Sequence, residues 1–475
     1  MKQIAIIGAG ISGLATAFKI EKKLKESGVS HKIHIFEREA KTGGKIGAVF
    51  RDGFRCEAGP NGFLDSKPST LQLCEELGLS DKLLRSSDAA RKRFIYSQGK
   101  LHALPTSPPK FFFSNLLSLK GRLRIIGELW APRPKEGTDP TIAEFARRRL
   151  GEEAHSKLFD PMVAGVFAGD TERLSLESCF PRMAELERDY GSLIKAMIKL
   201  AQSRKRKAQG SRLKDQSRKE KAGPAGPGGT LTSFRDGLSV LPDAIAERFK
   251  GRITCNADLK KIEKTDQGFK LSFAGAEDFE CDCVVVATPA CDTASPLASI
   301  DEGLTAVLNR FEFAPATVVG LGFDKSTIEH DISGFGFLIP KKEHRRILGS
   351  LWTSSIFPGR APEGSVLLRT IVGGARSPEL AILPEEDIIA MVRDELKAIM
   401  GITAGPAFVH TFKWEKAICQ YTVGHKTRLQ EVDERLARVP GLLLTGNSYR
   451  GVALNDCTLN ATRVAEKVAD FLKQA

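Results

Sequence analysis

The sequence predicts a mixed α/β fold with three kinds of structural unit. A short apolar run near the start leads through a glycine-rich turn into a helix, as in Rossmann-like domains. Residues 310–375 contain four runs rich in β-branched and aromatic side chains, which predict an antiparallel sheet. Residues 91–200 combine helical periodicity with large apolar side chains and cations, which predicts a helical domain.

The glycine-rich turn indicates the ligand of the first domain. A strand predicted over 3–7 ends at Gly8-Ala9-Gly10-Ile11-Ser12-Gly13, and a helical pattern follows from Leu14 to Lys25. The first glycine permits the tight turn, the second lets a pyrophosphate approach the backbone, and the third lets helix and strand pack closely. The N–H groups at the start of the helix favour phosphate. The turn therefore predicts dinucleotide binding.

The second predicted strand supports this assignment. It covers 32–36 and ends at Glu37, which lies 24 residues after Gly13. An acid at about that offset, roughly 20 residues, accepts hydrogen bonds from a ribose 2′-OH. Glu rather than Arg at this place argues against a 2′-phosphate, and hence against NADP.

Composition and charge exclude several classes of protein. The chain has 475 residues, 41% of them hydrophobic, a net charge of +13 and nine scattered cysteines, which favours several domains in a reducing compartment. No zinc spacing and no nucleic-acid signature occurs, so we expect no metal and no nucleic-acid partner. We also expect no signal peptide and no membrane span. Residues 204–221 carry +7 of the net charge, and Gly and Pro follow, so 201–228 is predicted as a disordered basic insertion.

Further helices and strands follow along the chain. Residues 66–85 predict a helix, and 91–105 predict a hairpin that contains Arg93. Pro108–Ile126 mixes Phe, Leu and Ile with cations and has no acid, which is typical of a segment at a membrane interface or of a core helix pair. The strands predicted for the sheet are 317–323, 334–340, 347–352 and 366–372.

The end of the chain repeats the pattern of its beginning. Buried strands are predicted at 283–287 and 442–444, and 384–400 predicts a helix between them. The second strand leads through Gly446 and Asn447 into a helix over 457–472. We expect this helix to direct a second N-terminus at the cofactor.

Two stretches beyond Glu37 resemble flavoproteins of the amine-oxidase type. Arg38-Glu-Ala-Lys-Thr-Gly43-Gly44-Lys45 is similar to the extension in which a Gly-Gly pair runs along FAD. Glu57-Ala-Gly59-Pro60-Asn61-Gly62 is similar to the next segment of that family, which passes close to the flavin. This resemblance implies FAD rather than NAD as the cofactor.

Several later stretches resemble one family within that group, the oxygen-dependent protoporphyrinogen oxidases. The resemblance runs from end to end, apart from the basic insertion. The matching stretches are Arg93-Phe-Ile-Tyr, Leu104-Pro-Thr, Gly165-Val-Phe-Ala-Gly169, Leu174-Ser, Cys179-Phe-Pro, Arg235-Asp-Gly-Leu, Gly334-Phe-Gly-x-Leu338 and Gly446-Asn-Ser-Tyr-x-Gly-Val-Ala-Leu-Asn-Asp.

The resemblance implies site residues position by position. Arg93 corresponds to the arginine that holds a propionate, Gly165 to a small residue lining the porphyrin pocket, and Phe335 and Leu338 to the apolar pair around a pyrrole ring. No acid or base is assigned as catalytic. The implied FAD contacts are Gly8, Ala9, Gly10, Ile11, Ser12, Gly13, Glu37, Arg38, Gly44, Lys45, Gly59, Pro60, Asn61, Gly62, Leu259, Asn447, Val452, Ala453 and Leu454.

The same resemblance implies an activity and a location. The activity is six-electron oxidation of protoporphyrinogen IX to protoporphyrin IX in haem synthesis, by hydride transfer to flavin and reoxidation by O2 to H2O2. The implied location is the cytoplasm, peripheral on the cytoplasmic face of the membrane. Oxidation of coproporphyrinogen III, another amine-oxidase-like or carotenoid-desaturase activity, and a non-enzymatic flavin-bearing scaffold remain alternatives. The oligomeric state is open, with a homodimer as one candidate.

We expect the domains to divide the chain discontinuously. Residues 1–90, 228–300 and 410–475 form the predicted FAD-binding domain. Residues 91–200 form the predicted helical domain for membrane association and substrate access, and 301–409 the predicted substrate-binding antiparallel sheet. The basic insertion, 201–228, separates the helical domain from the return of the FAD-binding domain.

Overall fold

A computed structural model describes residues 1–105, 116–135, 137–210 and 229–474. The chain forms two compact units. The first unit comprises Met1–Ser86, Thr230–Glu312 and Lys426–Ala475, and the second comprises Ser87–Gly229 and Phe313–His425. The predicted helical domain and most of the predicted sheet domain thus fall within the second unit.

The strands of the described residues are short, apart from four long ones in the second half of the chain. In chain order they are β1 (Lys2–Ile7), β2 (His31–Phe36), β3 (Ala48–Arg51), β4 (Phe54–Glu57), β5 (Phe63–Leu64), β6 (Leu83–Arg85), β7 (Phe94–Ser97), β8 (Lys100–Ala103), β9 (Leu231–Phe234), β10 (Ile253–Thr254), β11 (Asp258–Thr265), β12 (Gly268–Ala274), β13 (Phe279–Cys281), β14 (Cys283–Val286), β15 (Glu312–Asp324), β16 (Gly336–Leu338), β17 (Ile347–Trp352), β18 (Ser365–Gly373), β19 (Phe408–Gln420) and β20 (Leu442–Leu444).

The α-helices of the same residues alternate with these strands in the first unit and cluster between β8 and β9 in the second. In chain order they are α1 (Ile11–Glu26), α2 (Pro68–Glu76), α3 (Leu119–Ile126), α4 (Ile142–Leu150), α5 (Glu152–Ala154), α6 (Asp160–Phe167), α7 (Leu176–Cys179), α8 (Pro181–Tyr190), α9 (Leu193–Gly210), α10 (Val240–Arg248), α11 (Ala290–Ala294), α12 (Glu302–Leu308), α13 (Thr353–Ile356), α14 (Glu385–Met400), α15 (His425–Leu436) and α16 (Leu454–Gln474). A π-helical turn, His155–Phe159, joins α5 to α6.

A five-stranded parallel sheet organises the first unit. Its order is β10-β2-β1-β14-β20, and every neighbouring pair is parallel. The register aligns Ile7 with Phe36 and Val286, and Val286 with Leu444, so the carboxyl ends of these strands meet at one edge. The strands predicted at 3–7, 32–36, 283–287 and 442–444 are confirmed as β1, β2, β14 and β20.

Apolar side chains of α1, α10 and α16 bury the sheet of the first unit. Leu14, Ile245 and Val468 belong to one core with the strand residues Ile6 and Val285. Continuous apolar strands such as β14 are typical of a parallel sheet that is covered by helices.

The helix predicted over 66–85 is wrong beyond its first half. α2 ends at Glu76, and Gly78 adopts a φ of +72°, which a continuing helix does not allow. Leu83–Arg85 instead forms β6, which pairs antiparallel with β9. The tertiary pairing overrides the helical spacing of the leucines.

A seven-stranded sheet organises the second unit. Its order is β19-β15-β18-β17-β16-β7-β8. The strands predicted at 317–323, 347–352 and 366–372 are confirmed within β15, β17 and β18, and the helix 384–400 is confirmed as α14. The sheet is not purely antiparallel, because β7 joins it parallel to β16. β7 and β16 are distant in sequence, so no local sequence pattern predicts that they pair.

Two other predictions concern the helical part of the second unit. α9 continues to Gly210, so the first ten residues of the predicted basic insertion are helical; Lys, Arg, Ala and Gln all favour helix. The remainder, 211–228, lies outside the described residues, as do residues 106–115 of the predicted membrane segment. Among the residues that are described, no helix combines the length and apolar character needed to cross a bilayer.

Candidate functional site

The glycine-rich turn lies at the carboxyl edge of the parallel sheet, as predicted. Gly8 follows β1 with a φ of +96°, and a Cβ on Gly13 would lie 1.9 Å from the carbonyl oxygen of Gly8. Only glycine allows such a close approach of α1 to the turn. The N-cap of α1, Gly10, has no side-chain cap, and the first turn of the helix contains no acid. The amide groups of this turn are therefore suited to a phosphate.

Glu37 lies at the same edge, directly after β2. One of its carboxylate oxygens accepts the N–H of Ala9 at 2.6 Å, and the other accepts the N–H of Glu39 at 3.0 Å. The side chain thus holds the glycine-rich turn in place. Each carboxylate oxygen has a further lone pair, so Glu37 keeps the capacity to accept a ribose hydroxyl.

The Gly-Gly extension packs onto the turn. Gly43 donates its N–H to Ala9 at 2.8 Å, and a Cβ on Gly44 would lie 3.2 Å from the Cα of Gly10. A Cβ on Gly59 would lie 2.2 Å from the carbonyl oxygen of Lys45. The predicted flavin segment 38–45 is thus in contact with the turn, and the segment 57–62 is in contact with 38–45.

Asn61 offers polar atoms to a ligand at this edge. It is 8% exposed, and neither its amide nitrogen nor its amide oxygen forms a hydrogen bond with any described residue. The hydroxyl of Thr445, which follows β20 at the same edge of the sheet, is also buried without such a bond. Buried polar groups of this kind normally have partners, so these atoms fit the polar groups of a bound cofactor.

The remaining predicted cofactor residues approach the same edge. A Cβ on Gly446 would lie 4.0 Å from the hydroxyl of Ser12, so the turn that contains Asn447 lies beside the start of α1. Val452, Ala453 and Leu454 lead into α16. Leu259 is next to Ala257, whose N–H binds the carbonyl oxygen of Glu37 at 2.8 Å. Arg38 is exposed and pairs with Glu39 and Asp292. The roles of all these residues toward a cofactor stay predictions.

The second unit brings the four predicted substrate residues together in two pairs. Methyl groups of Leu338 would lie 2.8 and 2.9 Å from a Cβ on Gly165, so α6 approaches β16 there without a side chain between them. The guanidinium carbon of Arg93 lies 4.9 Å from the centre of the Phe335 ring. The N–H of Phe335 also binds the carbonyl oxygen of Lys92 at 2.8 Å, which fixes this pair.

The sheet register places Leu338 between β7 and β17. Leu338 aligns with Ile95 of β7 on one side and with Gly349 of β17 on the other, and Gly349 aligns with Ile371 of β18. Arg93 lies directly before β7. Its side chain is exposed, but partial desolvation of the guanidinium lowers its pKa, which still leaves it cationic at neutral pH.

Sequence reasoning missed two half-buried residues on the face of the seven-stranded sheet that carries Leu338. Ile371 and Leu351 are half-buried within strands that are otherwise almost fully buried. Ile371 lies beside Leu338 across Gly349, and Leu351 aligns with Gly336. Both strands carry apolar side chains on both faces, and the polar Ser350, Arg369 and Thr370 among them are also buried, so the sequences do not show which side chains face the core. Gly349 is the one signal, because it leaves space between Leu338 and Ile371.

Among the described residues, no cluster of three or more His, Cys, Asp or Glu side chains suits a metal ion. The site residues are instead glycines, amides, apolar side chains and the cation Arg93, and the register also places the buried Arg369 opposite Leu351. These groups can bind a dinucleotide and an apolar ligand with an acidic arm. They offer no ionisable pair of the kind that general acid–base catalysis uses.

The chain is similar to known flavoproteins over nearly its whole length. The model of the flavin containing amine oxidoreductases matches residues 11–469. The chain is 32% identical over 466 residues to coproporphyrinogen III oxidase of Bacillus subtilis, covering 96% of this chain and 95% of the relative. It is also 32% identical over 484 residues to the chloroplastic protoporphyrinogen oxidase of Oryza sativa, covering 98% and 88%.

Solved structures agree with these matches. A structure from Exiguobacterium sp. 255-15, assigned provisionally as a protoporphyrinogen oxidase, superposes with a TM-score of 0.82 at 25% identity and covers 98% of both chains. Cyclohexylamine oxidase from Brevibacterium oxydans superposes with a TM-score of 0.70 at 16% identity, which shows the shared fold. The protein is therefore a flavin-dependent oxidoreductase and belongs to the family of flavin containing amine oxidoreductases.

Proposed function

We propose that this protein is an FAD-dependent oxidase that converts protoporphyrinogen IX into protoporphyrin IX. The observation that carries the proposal is its end-to-end similarity to proteins named as oxidases of porphyrinogens. Cyclohexylamine oxidase and a putrescine oxidase variant, which share its fold, are only 16% and 13% identical to it.

The face of the seven-stranded sheet supports this choice of substrate. A porphyrinogen is a large apolar macrocycle with carboxylate arms. The half-buried apolar side chains of Leu338 and Ile371 suit its ring, and α6 packs closely against Leu338 at Gly165. Arg93, which lies over the ring of Phe335 in the same unit, offers a cation that matches a propionate.

The edge of the parallel sheet supports FAD as the flavin. The amide groups of Gly10–Gly13 suit its pyrophosphate, Glu37 suits the ribose, and the free amide of Asn61 suits another polar group of the cofactor. FAD, when bound, supplies the acceptor for a hydride taken from a carbon of the substrate. The side chains of this protein then have to orient the macrocycle and exclude water from it.

The proposed overall reaction is balanced with molecular oxygen. Protoporphyrinogen IX loses six electrons and six hydrogens in three two-electron steps, with tautomerisation of the ring between them. Three molecules of O2 take up these electrons and hydrogens and leave as three molecules of H2O2. In this scheme Arg93 holds a propionate throughout, and the apolar face carries the ring.

Coproporphyrinogen III is the second candidate substrate, because the Bacillus subtilis relative is named for it. This molecule carries four propionates instead of two, and the exposed Arg91 and Lys92 add positive charge next to Arg93. Turnover of both porphyrinogens in air, followed by porphyrin fluorescence and by peroxide, separates the two. Faster turnover of protoporphyrinogen with peroxide release supports the proposal. Faster turnover of coproporphyrinogen moves the assignment to the second candidate, and no turnover of either refutes both.

We further propose that the protein contacts the cytoplasmic face of a membrane through α3 and the turn that follows it, Gly127–Trp130. Leu119, Leu123 and Ile126 lie at helical spacing on one side of α3 and are exposed, and Trp130 beyond it is 77% exposed. Exposed Lys120 adds a cation next to this apolar side. Such a surface suits shallow insertion into anionic lipid.

Flotation with lipid vesicles tests this membrane contact. We expect the protein to float with vesicles that contain phosphatidylglycerol, and the double variant Leu123→Gln, Trp130→Gln to remain largely in solution. A matched control is Ile382→Gln, since Ile382 is an exposed apolar residue elsewhere in the second unit. Equal flotation of all three proteins, or none, would contradict the proposed contact.

A further inference from the structure

A buried ionic cluster lies at the start of α6, outside the residues assigned so far. One oxygen of the Asp160 carboxylate accepts a bond from Nη2 of Arg376 at 2.5 Å, and the other accepts the N–H of Lys341 at 2.7 Å. Nη2 of Arg376 also binds the main-chain carbonyl oxygen of Asp160 at 2.6 Å. We call Asp160, Lys341 and Arg376 the Asp160 clasp.

The clasp joins three elements that carry the predicted substrate face. Asp160 begins α6, which bears Gly165. Lys341 lies three residues after Leu338, and Arg376 follows the end of β18, which contains Ile371. The C-terminal end of α6 is bound to the segment that contains Arg376, because the N–H of Ala375 binds the carbonyl oxygen of Ala168 at 2.7 Å.

The contact between Gly165 and Leu338 leaves little tolerance for a shift of α6. Gly165 lies five residues after Asp160, which is about 7.5 Å along a helix axis. The clasp therefore does not touch this contact, but it determines how far α6 stands from β16. A side chain as small as a methyl group at Gly165 would already collide with Leu338.

The ion pair is almost entirely buried. The side chains of Arg376 and Asp160 are 6% and 5% exposed. A buried ion pair is a poor way to stabilise a fold, because desolvation of both charges offsets their attraction. Its presence here is better explained by a requirement for one defined arrangement of the elements that it joins.

We propose that Asp160 and Arg376 are positioning residues for the substrate, which set the spacing of α6, β16 and β18 and thereby the affinity for the porphyrinogen. The inference rests on the proposed function of this face. Neither residue is required to contact the substrate or the flavin.

The protonation of Asp160 gives the inference a pH dependence. Burial raises the pKa of this carboxyl, while Arg376 and the N–H of Lys341 oppose the shift; His155 on the π turn and Asp170 after α6 are the other charged groups that act on it. Since the pKa in the folded protein is above the unfolded value, Asp160 favours the fold most when protonated, and this contribution is lost as pH rises. The ionised clasp thus serves geometry rather than stability, and it is weakened as pH falls.

Steady-state kinetics of a double variant tests the role of the clasp. Asp160→Asn with Arg376→Met removes both charges and leaves neither partner buried alone. Because α6 would be displaced, we expect KM for the porphyrinogen to rise about tenfold. We expect kcat, flavin content and melting temperature to stay nearly unchanged. The single variant Arg376→Lys keeps the cation and should give an intermediate KM. In the unaltered protein KM should rise as pH falls, because protonation of Asp160 weakens the clasp. The double variant should lack this rise in KM.

A matched pair of substitutions on the surface serves as the control. Arg182 and Glu185 form an exposed ion pair at 3.0 Å in the same unit, so Arg182→Met with Glu185→Gln should leave KM unchanged. Binding of the porphyrin product, measured by fluorescence quenching, provides a readout without turnover. If the unaltered protein turns over or binds porphyrin and the double variant has the same KM and affinity, the clasp inference is refuted alone. If the unaltered protein does neither, the proposed function is refuted and this inference with it.

Discussion

At the scale of single residues, Gly13 occupies a position where only glycine fits. Its hydrogen atom faces the carbonyl oxygen of Gly8, where a Cβ would lie at 1.9 Å. The close approach is between backbones, so no side chain can move aside. The G-x-G-x-x-G motif therefore describes a steric fact of this turn as well as a ligand preference.

We predict that Gly13→Ala lowers the flavin content of the purified protein severely. The added methyl must push α1 away from the turn, and overpacking of this kind costs about 1–3 kcal/mol even where neighbours relax. Flavin absorbance per polypeptide measures the effect. Gly47→Ala in the same unit is the control, since a Cβ there meets nothing within 4 Å. Full flavin content in the Gly13 variant would contradict the assignment of the turn.

Arg93 should act on the substrate alone. We predict that Arg93→Met raises KM for the porphyrinogen about ten- to hundredfold, because a charge-assisted hydrogen bond contributes about 1.5–3 kcal/mol. Bound flavin should stay unchanged, since Arg93 belongs to the second unit. Arg91→Met is the control, because Arg91 is exposed and pairs with Asp88. An unchanged KM in the Arg93 variant would argue against its role.

At the scale of elements, α6 and β16 approach each other closely at Gly165. We predict that Gly165→Ala displaces Leu338 and raises KM about tenfold, again without loss of flavin. Gly405→Ala is a matched control within this unit, since a Cβ on Gly405 has open space. A normal KM in the Gly165 variant would mean that Leu338 moves away without affecting the substrate.

The stretch after α9 should be dispensable. We predict that deletion of residues 211–221 leaves kcat and KM unchanged, because this run of charges has the composition of a solvated segment. Turnover of the shortened protein measures this. Loss of activity with retained flavin would show that the basic run has a functional partner.

Local patterns in the sequence predicted the elements that depend on neighbours along the chain. The strand–turn–helix at Gly8–Gly13, the buried strand β14 and the final strand and helix all follow from spacing and composition, and the structure has them. Residues 66–85 mislead because Leu83–Arg85 pairs with β9, far away in sequence. Ile371 and Leu351 could not be found, because the face that a strand presents depends on its partners.

At the scale of the whole molecule, the similarity to porphyrinogen oxidases and the two sites support one another. The first unit provides an edge for a dinucleotide, with a buried amide, Asn61, that lacks a partner among the described residues. The second unit provides half-buried apolar side chains and the cation Arg93. The substrate assignment depends on the second unit, whereas the cofactor assignment depends on the first, so each can be tested without the other.

The most direct test of the central claim is reduction of the bound flavin by a porphyrinogen without oxygen. The purified yellow protein is mixed anaerobically with protoporphyrinogen IX, and flavin absorbance and porphyrin fluorescence are recorded together; air is then admitted and peroxide is measured. Our account predicts that the flavin is bleached as porphyrin fluorescence appears, and that the yellow colour returns with release of peroxide. A flavin that stays oxidised in the presence of protoporphyrinogen and of coproporphyrinogen would contradict the account.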